Sequence, residues 1–239
     1  MRFLNAGDCA LVIEFGNEIS VETNRRIKFV TDALDKAKLK GVFDLVPTYR
    51  SILVYYDPLV LPASEIRDFV TEVQKTSGEE SSSPGEVVEV PVLYGGEMGP
   101  DLDFICEHTK LNKDEVIRLH SSVEYLVYML GFTPGFTYLG GMPKELSTPR
   151  LAKPRTSIPA GTVGIAAAQT GIYPVESPGG WQLMGRTPLK VFDYRREKPF
   201  LLSAGDYLKF VPISKEEFAA ITQADAEGRY SPKRYRKGG

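Results

Sequence analysis

The chain has 239 residues, 42% of them hydrophobic and 25% charged, with a formal net charge of −2. These values are ordinary for a soluble globular protein and argue against a basic, nucleic-acid-binding one, and no apolar run approaches the roughly 18 residues that a membrane span needs. The length fits one large domain or two small ones.

The opening MRFLNAGDCALVIEF lacks the basic-then-apolar layout of a signal peptide, and CALVIEF within it has strand composition. Cys9 and Cys106 lie far apart without a CxxC. That argues against a disulfide framework or a structural zinc site and fits a cytoplasmic chain. Residues 20–38 place Thr23, Ile27, Val30 and Leu34 on one helical face. LVPTYRSILVYYD reads as two strands around a polar turn at Thr48–Ser51. LPASEIRDFVTEVQK is an amphipathic helix, with Ile66, Phe69, Val70 and Val73 at i, i+3, i+4, i+7. Strand, helix, strand, strand, helix is the order of a small α+β sandwich of the split βαβ type. Its last strand comes from the first residues or from beyond 75–86. That stretch, KTSGEESSSPGE, has no apolar residue and reads as a flexible linker.

After it, VVEVPVLY puts Val88, Val90, Val92 and Tyr94 on one side of a strand. A short helix follows, with Pro100 in its first turn and Leu102, Ile105 and Cys106 facing in. A second has capping-box spacing at Asn112 and Glu115, a hydrophobic staple at Leu111 and Val116, and its end near His120. YLVYMLGF, TVGIAAAQTGIYPV, WQLMG, LKVFD and YLKFVPI then read as short strands separated by Gly, Pro and Ser, the spacing of an antiparallel barrel or sandwich. Residues 214–226 form a last helix with Ser214 as N-cap, and the basic tail RYSPKRYRKGG is expected to be disordered.

No phosphate loop, GxGxxG, HExxH or GxSxG is present in the sequence, and two histidines cannot build a His-rich metal site. Candidate chemistry concentrates in irregular segments between residues 120 and 188. GFTPGFTYLGG (131–141) combines four glycines with three aromatics. Gly135 permits close backbone approach, Pro134 stiffens the loop, and Phe132, Phe136 and Tyr138 supply flat apolar walls. It fits either a pocket floor or an Ω-loop that packs its own aromatics. In PRTSIPAGTVGIA (154–166), prolines flank Arg155, which fits either a pre-organised arm for a carboxylate or phosphate or a surface turn. Ser157 follows it. In QTGIYPVESPGGWQLMGRTP (169–188), Gln169, Tyr173, Ser177 and Gln182 are polar groups able to orient a ligand. Gly179 and Gly180 precede Trp181, the single tryptophan, which serves as a ligand wall or as a core plug. His120 titrates near neutrality, and its helix C-terminus favours the protonated form. It is a helix-end cap or, with Tyr128, a proton handler. A good small-molecule pocket is apolar with a few placed polar groups, and these segments together have that composition.

VEYLVYMLGFTPGFTYLGGMP and PRTSIPAGTVGIAAAQTGIYPVESPGGWQLMGRTP resemble the family of 5-oxoprolinase B subunits, also called allophanate hydrolase subunit 1, which includes a Kip-type inhibitor of a sporulation histidine kinase. VPVLYGGEMGPDL, GDCALVIEFG and PTYRSILVYYD resemble it as well. The resemblance implies an α+β ferredoxin-like domain over 1–76, a linker over 77–86, and a mainly-β cyclophilin-like barrel over 87–228, ahead of the tail at 229–239. It also implies two partners, an A-type subunit and a C-type subunit similar to allophanate hydrolase subunit 2. Together they form an ATP-dependent 5-oxoprolinase, which opens the lactam 5-oxo-L-proline to L-glutamate. The alternatives are inhibition of a histidine kinase, or a place in urea or allophanate metabolism. On this reading ATP acts at the level of the complex, no cofactor or metal is held tightly by this chain, and the barrel pocket binds the lactam or its phosphorylated form.

Overall fold

The computed structural model describes residues 1–18, 20–76 and 85–238. The chain divides into two compact units, Met1–Ser83 and Pro84–Gly239. Most of the linker expected over 77–86 lies outside the described residues, and Glu86 already opens a strand.

In the first unit, strands β1 (Arg2–Asn5), β2 (Ala10–Glu14), β3 (Val42–Pro47) and β4 (Ser51–Tyr56) form one antiparallel sheet in the order β1-β2-β4-β3. Helices α1 (Val21–Ala37) and α2 (Ala63–Thr76) supply its other layer. Period-2 alternation in β2 and β4 sends Leu11, Ile13, Ile52 and Val54 to one face. There they join Ile27, Val30 and Leu34 of α1 and Ile66 and Val70 of α2 in a single core. Ser20 caps α1, its hydroxyl accepting from the Thr23 amide at 3.1 Å. The core β2-α1-β3-β4-α2 follows the split βαβ pattern, and the first residues supply the outer strand β1.

The second unit is built on an eight-stranded sheet. Its strands are β5 (Glu86–Tyr94), β6 (Glu124–Leu130), β7 (Thr137–Gly140), β9 (Thr162–Ala166), β10 (Gln169–Ile172), β12 (Gln182–Arg186), β13 (Tyr207–Pro212) and β14 (Arg234–Arg236). A separate ribbon pairs β8 (Arg155–Ile158) with β11 (Ser177–Gly179). The main path runs β10-β9-β12-β5-β13-β6-β7. Its two end strands come side by side, since a Cβ on Gly171 of β10 would sit 3.2 Å from the Thr137 carbonyl of β7. The result is a nearly closed barrel filled by Val88, Val90, Val92, Tyr125, Val127, Ile165, Met184 and Phe210. Helices α3 (Leu102–Thr109) and α4 (Lys113–Ser121) add Leu102, Ile105 and Val116 to that core. Capping boxes start α4 at Asn112 and α5 (Lys215–Ala226) at Ser214, as their spacing predicts.

Two expectations are corrected. LKVFD is no strand: Leu189 and Val191 are buried, but only an isolated bridge from Phe192 to Phe200 forms. Alternating apolar residues there satisfy packing without a ladder. The tail is not disordered over its described length. Arg234–Arg236 pair antiparallel with Glu86–Val88, filling the edge of β5 that β12, bound at Leu93 and Tyr94, leaves open.

Candidate functional site

The strands of the barrel alternate between two apolar layers. On β9, β12 and β7, Val163, Ile165, Met184 and Leu139 point inward to the main core. Ala166, Leu183 and Tyr138 point the other way. They join Phe136, Tyr173, Trp181 and, from the β8–β11 ribbon, Ile158 in a second cluster on the outer face. These aromatic residues therefore belong to a cluster separate from the barrel's main core. Period-2 geometry puts them outside, under the ribbon.

The cluster is tightly organised. Phe136 lies 5.7 Å from Trp181, 5.8 Å from Tyr173 and 5.2 Å from Tyr138, each edge-to-face. Phe136 and Trp181 are nearly buried. GFTPGF is the turn of the β6–β7 hairpin, closed by the Gly131 amide on the Phe136 carbonyl at 3.1 Å. Pro134 is exposed on this turn, and Phe132 is 66% exposed with φ of 64°. An unfavourable left-handed conformation in a bulky residue is a strain typical of functional loops. Gly135, at φ 84°, packs its backbone where a Cβ would meet the Phe192 Cβ at 2.7 Å.

Arg155 is brought to this cluster but is not a free arm. Its Nη2 donates to Asp101 Oδ1 at 2.7 Å, and its Nη1 to the Trp181 carbonyl at 3.4 Å. The other Asp101 oxygen accepts from the Leu183 amide at 2.7 Å. Asp101 thus ties the head of α3 to β8 and β12. Around this strut, Gln182 is buried and donates to the Pro149 carbonyl at 2.9 Å. The Gly180 carbonyl accepts from the Leu151 amide at 2.8 Å. Gly179 lies so close to the Tyr173 hydroxyl that no Cβ fits. Burial raises the Tyr173 phenol, against the lowering effect of a bond to Trp181 and of Arg150 and Arg155. Ser157 is exposed and donates to Glu176 at 2.8 Å, while Ser177 is buried and donates to the Val175 carbonyl at 3.3 Å. Gln169 is half-buried where β10 begins, paired with Ala166 of β9.

His120 belongs to the inner layer. Fully buried, it stacks on Phe210 at 4.4 Å. Its Nδ1 lies 2.8 Å from the Tyr94 hydroxyl and its Nε2 2.8 Å from the Thr170 hydroxyl. Thr170 donates its single proton to the Gly164 carbonyl at 3.1 Å, so it accepts from Nε2–H, and Nδ1 accepts from Tyr94. Burial lowers the imidazole to about 3. The expected helix-end stabilisation of the protonated form is overturned, because desolvation in the barrel outweighs the helix terminus. Tyr94 is pushed up by burial and by Tyr125. Tyr128 occupies the register shift between β6 and β7, and its ring covers Gly140. Burial, with Tyr207, raises its phenol as well.

The structure thus brings Phe136, Tyr138, Tyr173, Trp181, Gly179, Gly180, Gln182 and Arg155 together and sets His120 apart. Sequence reasoning does not reach the roles of Asp101 and Tyr94. Each serves a partner far away in sequence, and the surrounding residues carry no local signal of it.

Residues 1–202 match the carboxyltransferase domain family, subdomains C and D. The chain is 42% identical over 227 residues to the B subunit of the 5-oxoprolinase of Bacillus subtilis, covering 91% of this chain and 95% of that protein. It is 52% identical over 213 residues to the B subunit of the 5-oxoprolinase of Haemophilus influenzae, covering 88% and 97%. Among solved structures, TTHA0988 superimposes with a TM-score of 0.79 at 38% identity over 86% of this chain, which spans 40% of that longer one.

Proposed function

The chain belongs to the family of 5-oxoprolinase B subunits, and from that membership we infer that it is one component of an ATP-dependent 5-oxoprolinase, opening 5-oxo-L-proline to L-glutamate. The observation that carries this reading is the identity of 42% and 52% over about nine-tenths of the chain to relatives of that name. The partners are the A-type and C-type subunits of that enzyme.

A five-membered lactam is a stable amide. Transfer of the γ-phosphoryl group of ATP to its oxygen gives ADP and an activated imidate. Water adds to that carbon, the C–N bond breaks to free the amine and leave an acyl phosphate, and a second water hydrolyses that acyl phosphate to the carboxylate and inorganic phosphate. This sequence has no recognisable phosphate loop, so nucleotide binding is assigned to the partner subunits or to their interface with this chain.

Within this chain the site is assigned to the outer aromatic cluster. Phe136, Tyr173 and Trp181 form its floor, with Tyr138 and the exposed Phe132 at the rim where the ring rests. Arg155 and Asp101 hold the β8 and β12 walls in register. His120, neutral and with both nitrogens engaged, is structural. Of the two residues expected to handle a proton, this leaves Tyr128, whose ring covers Gly140 of β7.

Reconstitution tests the reading. Co-purified with its A-type and C-type partners, the chain is required for 5-oxoproline-dependent ATP hydrolysis. Activity unchanged when this chain is omitted overturns the assignment.

A further inference from the structure

With the Arg155 guanidinium committed to Asp101, the candidate site needs another partner for a negatively charged substrate group. The segment just before β8 provides one. It is pinned at Thr148, whose carbonyl accepts from the Ala167 amide at 2.7 Å. It is pinned again at Pro149, whose carbonyl accepts from Gln182 at 2.9 Å, and at Leu151, whose amide donates to Gly180 at 2.8 Å. Arg150 sits between the last two anchors. Its backbone is fixed on both sides, yet its side chain is exposed, and among the described residues it has no hydrogen bond or ion pair. The anchors Gln182 and Gly180 flank Trp181, and the Tyr173 hydroxyl lies against Gly179 of the same turn. The positive field of Arg150 reaches that phenol. Lys153, also exposed, adds charge of the same sign.

We propose that Arg150, on the segment pinned to the Gly180–Gln182 turn, is the anion contact of this site and takes the carboxylate of the lactam substrate, while Arg155 and Asp101 act as a strut. This rests on the 5-oxoprolinase reading above. A guanidinium without a counter-ion offers two parallel N–H donors that match a carboxylate. A backbone pinned on both sides loses little entropy when the ligand binds. Gln182 acquires a purpose here as well: it does not touch the ligand but positions the residue that does.

An oxyanion at this point has two sources, the carboxylate of 5-oxoproline or a phosphoryl group, and the kinetics of the reconstituted complex separate them. Loss of one charge-assisted contact predicts that R150A raises the KM for 5-oxoproline about 10- to 100-fold. The KM for ATP stays unchanged, and R150K recovers part of the loss. A rise in the KM for ATP instead overturns the carboxylate assignment, and unchanged kinetics in R150A overturns the proposal. In both cases an active wild-type complex leaves the 5-oxoprolinase reading standing. A wild-type complex that is itself inactive removes that reading, and the proposal with it.

Discussion

At the scale of single residues, burial decides what each polar group can do. His120 is the plainest case, since its ordinary pKa is 6.5 and burial lowers it to about 3 in the fold. Between these values the unfolded chain binds a proton that the native chain does not, so stability falls as pH drops below 6.5 and levels off near 3. From pH 7 to 5 this residue alone accounts for about 2 kcal/mol. Urea unfolding at the two pH values measures it, and H120Q is expected to lose most of that difference. An unaltered pH dependence in H120Q would mean that the imidazole is not held neutral. Asp101 gives a second prediction. Asp101→Ala strands both the Arg155 guanidinium and the Leu183 amide. The pair is only partly shielded from solvent, so the expected loss is about 1–3 kcal/mol in chemical denaturation. Neither residue's role is legible in the sequence. His120 is joined to Thr170, and Arg155 to Asp101, across separations of 50 and 54 residues, and local spacing carries no record of such pairs.

At the scale of elements, the legible features are those whose causes are local. The capping boxes at Asn112 and Ser214 and the amphipathic faces of α1 and α2 are written in residues a few positions apart. The tail escapes such a reading for the opposite reason. RYSPKRYRKGG has no strand pattern of its own, and β14 exists because β5 offers an unpaired edge. Charge then fixes the strand in place. Lys233 meets Glu89 at 3.2 Å and Arg234 meets Glu86 at 3.1 Å, while Lys237 meets Glu124 at 3.4 Å and lies 3.6 Å from the centre of the Tyr207 ring. Each ion pair is exposed and individually weak, and salt screens it. Deleting residues 229–239 should therefore lower the Tm by a few degrees in dilute buffer, and the gap from wild type should narrow in high salt. Thermal melts at low and high ionic strength measure both effects. A gap that is indifferent to salt would assign the strand's hold to its backbone bonds alone.

At the scale of the whole molecule, the two-part division follows from where apolar residues stop. The core of the first unit draws on residues from Leu11 to Val70 and that of the second on residues from Val88 to Phe210, with no member in common. The polar stretch 75–86 marks the change because it holds nothing that either core could bury. The barrel itself is legible from the spacing of its short strands, but its two apolar layers are not. A strand such as TVGIA, buried at every position, does not reveal which neighbours face the interior and which face the ribbon. Sequence reasoning accordingly groups Phe136, Tyr173 and Trp181, which the fold packs together, but does not say which face of the wall they occupy. Separate cores make a further prediction. A fragment of residues 85–239 should unfold cooperatively by itself, because it retains the whole inner core and the outer cluster. A fragment of residues 1–76 should be marginal, since a domain of that size buries only about 60% of the surface its unfolded chain exposes. Far-ultraviolet circular dichroism melts of the two fragments test this directly. A barrel fragment that melts without a transition would mean that the first unit is needed for the second to fold, and separate cores would then not be separate folding units.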